Sequence, residues 1–412
     1  MSYTQEIKDK IIDLMKQYPN TTMIRYGYKT TNGVKTKTPS IVFGVKIKKS
    51  LSELSSDEIL PQSINLSNKD IITDVIEEPE AEPMSVEYCP SSFYTWQTTP
   101  PPQRNTQRPL MGGLEIKNQT TQYLGTMGFI AVDNETNSLV GVTNAHVALA
   151  GSTKSAFIAS ENNRGLVNCF NDDMAQDASN STTLRIGKVK KYKPLYSTQS
   201  NYTDGALLTL KESEINLNES FKFYGFESDI TGPLDFATTE EIDSLVDNNY
   251  ELYSVGRTTG AKGFGVTKLL FDGYSSFNIS YDLGNGNSKS VFFTDCISYV
   301  ASADTTTPGN ICYSPIEGGD SGSALLANID GTIKIIGLSF AGSGYIGSLK
   351  FLAHACRIDK VSEDLNISPF VGQSVSYSDN DNPLVHYIAG TSSLETVEIN
   401  GKTYYQQGLI NL

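Results

Sequence analysis

Hydrophobic residues follow two different periods along this chain. Near the start, Ile7, Ile11, Leu14, Met15 and Tyr18 recur at helical spacing, which predicts an amphipathic helix over residues 4–18, stopped by Pro19-Asn20. Alternation then takes over. Residues 22–29 and 40–47 read as strands around a turn at Asn32-Gly33, with Ile41, Phe43, Val45 and Ile47 sharing one face of the second. A short helix is expected over 52–60, closed by Pro61, and a further strand over 71–76. Together these elements predict a small α/β domain at residues 1–76.

Both periods are lost between 77 and 111. Glu77-Glu78-Pro79-Glu80-Ala81-Glu82-Pro83 opens a charged, proline-bearing linker, continued by Pro100-Pro101-Pro102 and a polar stretch. Arg104 and Arg108 read either as nicking points or as ordinary linker residues. From 112 onward short apolar runs return at intervals of about ten residues. One group covers 114–116, 123–132, 139–143, 184–191 and 205–210. After an acidic bridge at 211–249, a second covers 252–256, 264–271, 276–283, 291–299, 324–329 and 332–340. Such spacing predicts antiparallel sheets closed into barrels. A helix is expected over 349–365, with Leu352, Ile358, Val361 and Leu365 apolar, and a tail at 370–412 carries a hairpin signal at Asn400-Gly401.

Composition narrows the function. At 412 residues the chain exceeds what one core usually supports. Lys and Arg number 32 against 46 Asp and Glu, a net charge of −14, which argues against nucleic acid or an anionic membrane as partner. The opening residues lack the apolar core of a signal peptide, so a cytoplasmic location is expected. Five cysteines (Cys89, Cys169, Cys296, Cys312 and Cys356) have neither C-x-x-C spacing nor an even count. Buried thiols are expected, with no metal or cofactor.

The candidate chemistry centres on Gly318-Gly319-Asp320-Ser321-Gly322-Ser323-Ala324. Glycines beside a serine let backbone N–H groups converge into a nest for a developing oxyanion. A serine hydroxyl is a weak nucleophile unless a base takes its proton, and that base needs an orienting acid. His146, in Gly141-Val142-Thr143-Asn144-Ala145-His146-Val147, is the candidate base, since its near-neutral reference pKa suits a proton shuttle. Asp204, leading into an apolar run at 205–210, is the candidate acid; Asp172, Asp173 and Asp177 are its rivals. His354, on the expected helix, and His386 read as structural.

These segments resemble those of the trypsin/chymotrypsin-like serine peptidase family, in its single-chain bacterial form, over residues 112–360. "TNAHV" resembles that family's "TAAHC", "TDGALLTL" its "DIALLKL", "GGDSGSAL" its "GDSGGPL" and "IIGLSFAGSG" its "LVGIVSWGSG". The order His146, Asp204, Ser321 is also the family's. The resemblance implies a mostly β fold with two antiparallel β-barrels of chymotrypsin type, a peptidase domain at 112–369, and serine endopeptidase activity on protein or peptide substrates. It implies oxyanion N–H groups from Gly319 and Ser321, and a substrate cleft bordered by Pro315, Phe340, Ala341 and Gly342. Pro315 stands where an acid would select basic side chains, so an apolar or small residue before the cut is expected. No Ile-Val-Gly-Gly start follows Arg108, so Asp320 must be satisfied without a newly cut N-terminus. Residues 1–76 resemble a leader domain, which could inhibit, bind a cognate partner protein or assist folding. Three alternatives stay open: a protease confined to its own linker or one partner, a catalytically silent binding protein on a peptidase fold, and an esterase.

Overall fold

The computed structural model describes residues 3–31, 34–66, 69–83, 102–150, 154, 156–159, 165–169, 173–176, 185–248, 250–262, 268–283, 286–302, 314–344, 351–373, 375–379, 382–387, 396–399 and 402–405. Asp172, Asp177, Cys89, Cys312 and the Asn400-Gly401 turn lie outside them.

The chain is mostly β and forms two antiparallel barrels. In the first, Glu115–Asn118 pairs with Leu124–Thr126, and Phe129–Asp133 continues to Ser138–Thr143. The ladder then runs through Ala206–Thr209, Arg185–Tyr192 and Asp173–Ala175, and returns to Glu115–Asn118, closing the ring. In the second, Leu252–Gly256, Lys268–Asp282, Ser288–Ser302, Leu352–Arg357, Thr332–Ser343 and Ala324–Ile329 pair in that order, and the last returns to the first. Closure covers most of each ring's edges, while strand ends such as Ala341–Gly342 run on beyond the ladder to Ala324–Ile329. Inward positions such as Val140, Val142, Leu207, Leu325 and Leu338 are fully buried.

The helix Gln5–Gln17 forms as its spacing predicts, burying Ile7, Ile11, Leu14 and Met15. The N-terminal strands extend the second barrel's sheet, because Met23–Gly27 pairs antiparallel with Gly273–Phe277. A Cβ at Gly273 would sit 2.6 Å from the Tyr26 carbonyl oxygen, so only glycine admits this approach. Lys268–Asp282 is therefore one strand, where the sequence suggested two. Its register shifts at Phe271/Gly273 and Ser275/Phe277 bend it without ending it. The helix expected at 52–60 shrinks to a single turn at Leu51–Glu53, closed by a Ser50–Glu53 capping box.

The helix expected over 349–365 is corrected as well. Leu352–Arg357 is a strand held between two barrel neighbours, and only Ile358–Leu365 is helical. Pairing on both sides overrides a helical apolar spacing. His354 is thus a strand residue. It is fully buried, with Nδ1 2.9 Å from Ser298 Oγ. Burial first, and then the Arg25 charge, push its pKa down to about 3. Below pH ~6.5 the unfolded chain takes a proton on this ring that the folded chain refuses, so stability falls as pH drops. Between pH 6.5 and 5, urea titrations are expected to show the wild type losing ~1–2 kcal/mol more than His354→Gln.

Cys169, Cys296 and Cys356 are buried, and none of the three is in a disulfide. Among the described residues no helix is long and apolar enough to cross a membrane.

Candidate active site

The strand Ser138–Thr143 delivers a short helix, Ala145–Ala148, to the seam between the barrels. Asp204 sits just before the strand Ala206–Thr209, which pairs with Ser138–Thr143, so the two segments arrive together. Asn144 Nδ2 donates to the Asp204 carbonyl oxygen at 2.7 Å. The Asp204 carboxylate is fully buried and receives four donors. The N–H groups of Ala145 and His146 reach Oδ1 at 2.9 and 3.2 Å. His146 Nδ1 and the Tyr281 hydroxyl reach Oδ2 at 2.6 and 2.8 Å. An ionised carboxylate only accepts, so the ring proton sits on Nδ1 and the Nε2 lone pair is free. Nε2 lies 2.9 Å from Ser321 Oγ. The structure thus brings His146, Asp204 and Ser321 together in one hydrogen-bonded chain. Asp173 is a strand residue paired with Arg185.

The serine turn is braced from both barrels. Gly319 and Gly322 have φ of +94° and +92°, a backbone form that side-chain-bearing residues rarely take. Thr126 donates its N–H to the Ser321 carbonyl at 2.8 Å and its hydroxyl to the Gly319 carbonyl at 3.0 Å. The Asp320 carboxylate accepts N–H groups from Thr258 at 2.7 Å, Thr259 at 3.1 Å and Glu317 at 2.9 Å. Three backbone donors thus satisfy Asp320, and the turn is assembled without a new chain terminus.

Tyr281 is the residue that sequence reasoning missed. It lies in a barrel strand with nothing local to mark it, and only the paired barrels bring its hydroxyl to Asp204. Burial and the Asp204 charge hold its pKa well above the usual phenol value, so it remains a donor. Tyr281→Phe leaves Asp204 Oδ2 one donor short. Peptide hydrolysis at neutral pH is expected to lose about tenfold in kcat/KM, or ~1.4 kcal/mol, with folding intact.

A cleft of about 780 Å³ opens beside His146, bordered by Tyr123, Lys154, Arg257, Tyr281, Gly318 and Gly319. Of the four residues expected to border it, two lie in the interior and two pair with residues 82–83, which border it. Pro315 is buried, and Phe340 is fully buried, its ring centroid 4.6 Å from that of Phe293 in the core. Ala341 and Gly342 lie paired with Pro83 and Glu82.

No family model matches the chain, and no curated protein does. Among solved structures it is similar to a Nocardiopsis protease at 14% identity, over 63% of this chain and 98% of that one, with a TM-score of 0.37. It is also similar to protease A of Thermobifida fusca, at 14% identity over 64% and 99% with a TM-score of 0.34. A third is a glutamic acid-specific serine protease, at 13% identity over 63% and 100% with a TM-score of 0.37. Likenesses this distant do not bear on activity, and the local geometry supports a function by itself.

Proposed function

We propose that this chain is a serine endopeptidase, with Ser321 as nucleophile, His146 as general base and then acid, and Asp204 as the group that orients His146. One observation carries the reading: the relay Ser321 Oγ to His146 Nε2 at 2.9 Å and His146 Nδ1 to Asp204 Oδ2 at 2.6 Å. As Ser321 Oγ attacks a peptide carbonyl carbon, its proton passes to Nε2, and Asp204 stabilises the imidazolium. The N–H groups of Gly319 and Ser321 are assigned to the oxyanion, each worth ~3–4 kcal/mol in the transition state. His146 then gives the proton to the leaving amine, the C–N bond breaks, and an acyl ester remains on Ser321. Water attacks that ester by the same route, restoring the hydroxyl.

Pro315, which the resemblance puts where an acid would select basic side chains, is uncharged, so an apolar or small residue before the cut is assigned. The test is a mixture of unstructured peptides incubated with the protein and analysed by mass spectrometry. Cuts after apolar or small residues, with an acyl-protein adduct trapped at low pH, are the expected result. Strict cutting after Lys or Arg would overturn the pocket assignment. A mixture left intact would overturn the peptidase reading.

A further inference from the structure

Resting on that reading, we propose that residues 80–83 are a built-in competitor for the substrate, a strap laid along the strand edge that an incoming peptide must use. The strand Thr332–Ser343 is pinned to the serine turn at Ser339, whose carbonyl accepts the Gly322 N–H at 2.9 Å and whose N–H reaches the Ser323 carbonyl at 2.9 Å. Ala341 and Gly342 lie two and three residues further along, each step covering about 3.3 Å. Their edge is the nearest backbone on which an extended peptide could align before reaching Ser321. That edge is already taken. Glu82 pairs with Gly342 and Pro83 with Ala341, antiparallel, while Ala81 bridges Ile279 in parallel.

The direction of the strap is the telling feature. Passing from Glu82 to Pro83, the chain moves from Gly342 to Ala341, and so toward Ser339 and the serine turn. It runs as a peptide would with its carbonyl end approaching the nucleophile. Glu80, Ala81, Glu82 and Pro83 also border the same cleft as His146.

The strap is anchored just upstream. Glu78 Oε2 accepts from Arg25 Nη1 at 2.8 Å, and Glu78 Oε1 accepts from Ser343 Oγ at 2.9 Å, at the end of the occupied strand. Arg25 reaches Asp272 with its other nitrogen at 3.1 Å. These groups are buried, and a buried pair broken on one side is costly, so the anchor holds. Beyond the buried Ala81, the strap itself is lightly held. Pro83 has no N–H to give, which makes the paired segment poorer in hydrogen bonds than a regular strand. The Lys46–Glu80 pair beside it is exposed, at 2.8 Å, and worth little. A firm anchor and a weak strap together make a tethered ligand whose local concentration is high, on the order of mM, yet which a better peptide displaces. Activity is thereby controlled through access to the edge, while the serine turn stays assembled.

A competitor of this kind raises KM and leaves kcat alone. Ala81→Arg forces a large cation into a buried position, and Glu82→Pro removes the N–H facing Gly342; each expels the strap by a different route. Steady-state hydrolysis of an extended peptide and of a small activated ester would be measured on the wild type and both variants, with thermal melting to verify folding. The expected result is a KM for the peptide at least tenfold lower in both variants, with kcat and ester hydrolysis within threefold of the wild type. Folded variants with an unchanged peptide KM and normal ester hydrolysis would overturn the strap and leave the peptidase reading intact. If neither the wild type nor the variants turn over peptide or ester, the peptidase reading fails and the strap falls with it.

Discussion

Ser321→Ala is expected to lower kcat/KM for peptide hydrolysis by about 10⁵-fold or more, the scale on which loss of a triad nucleophile acts. The reason is local. Ser321 Oγ is the hydroxyl facing His146 Nε2. Alanine leaves the turn's backbone bonds in place, including the Thr126 N–H to the residue 321 carbonyl. The variant should therefore fold and melt as the wild type does, and its loss should be chemical. Steady-state assays on a peptide cut by the wild type, with purified variant at high concentration, check this. Retention of more than a few per cent of the activity would place the nucleophile elsewhere.

Asp204→Asn is expected to cost about 10⁴-fold in kcat, through the tautomer of His146 and not through folding. The amide keeps the size of the carboxylate but carries one acceptor and one donor group. The N–H groups of Ala145 and His146 fix the acceptor on the Oδ1 side. The NH₂ group must then face His146 Nδ1, where Oδ2 now accepts at 2.6 Å. Nδ1 turns from donor to acceptor, the ring proton moves to Nε2, and the lone pair that would take the Ser321 proton is gone. The assay is kcat at neutral pH beside a melting curve. A near wild-type kcat would mean that Asp204 does not set the ring's orientation.

Much of this site is legible in the sequence because short-range rules place it. The glycines around Ser321 are needed for a turn with two residues at positive φ. His146 and Asp204 each adjoin an apolar run that becomes a barrel strand. What escaped is what depends on distant pairing. Tyr281 meets Asp204 only because its strand crosses the second barrel beside the first. Leu352–Arg357 carries a helical spacing, and its strand state comes from neighbours 50 or more residues away and from the strand just before it. Residues 77–83 show the charge and prolines of a linker, and nothing in them reveals the edge against which two of them lie.

The most direct test is covalent. A fluorophosphonate probe reacts with a serine only when a base has made it nucleophilic and an anion trap receives the phosphoryl oxygen. Mass mapping of the labelled protein should find one adduct, on the peptide containing Ser321, and none in His146→Ala. A folded protein that takes no label, or takes it on another residue, would contradict the account.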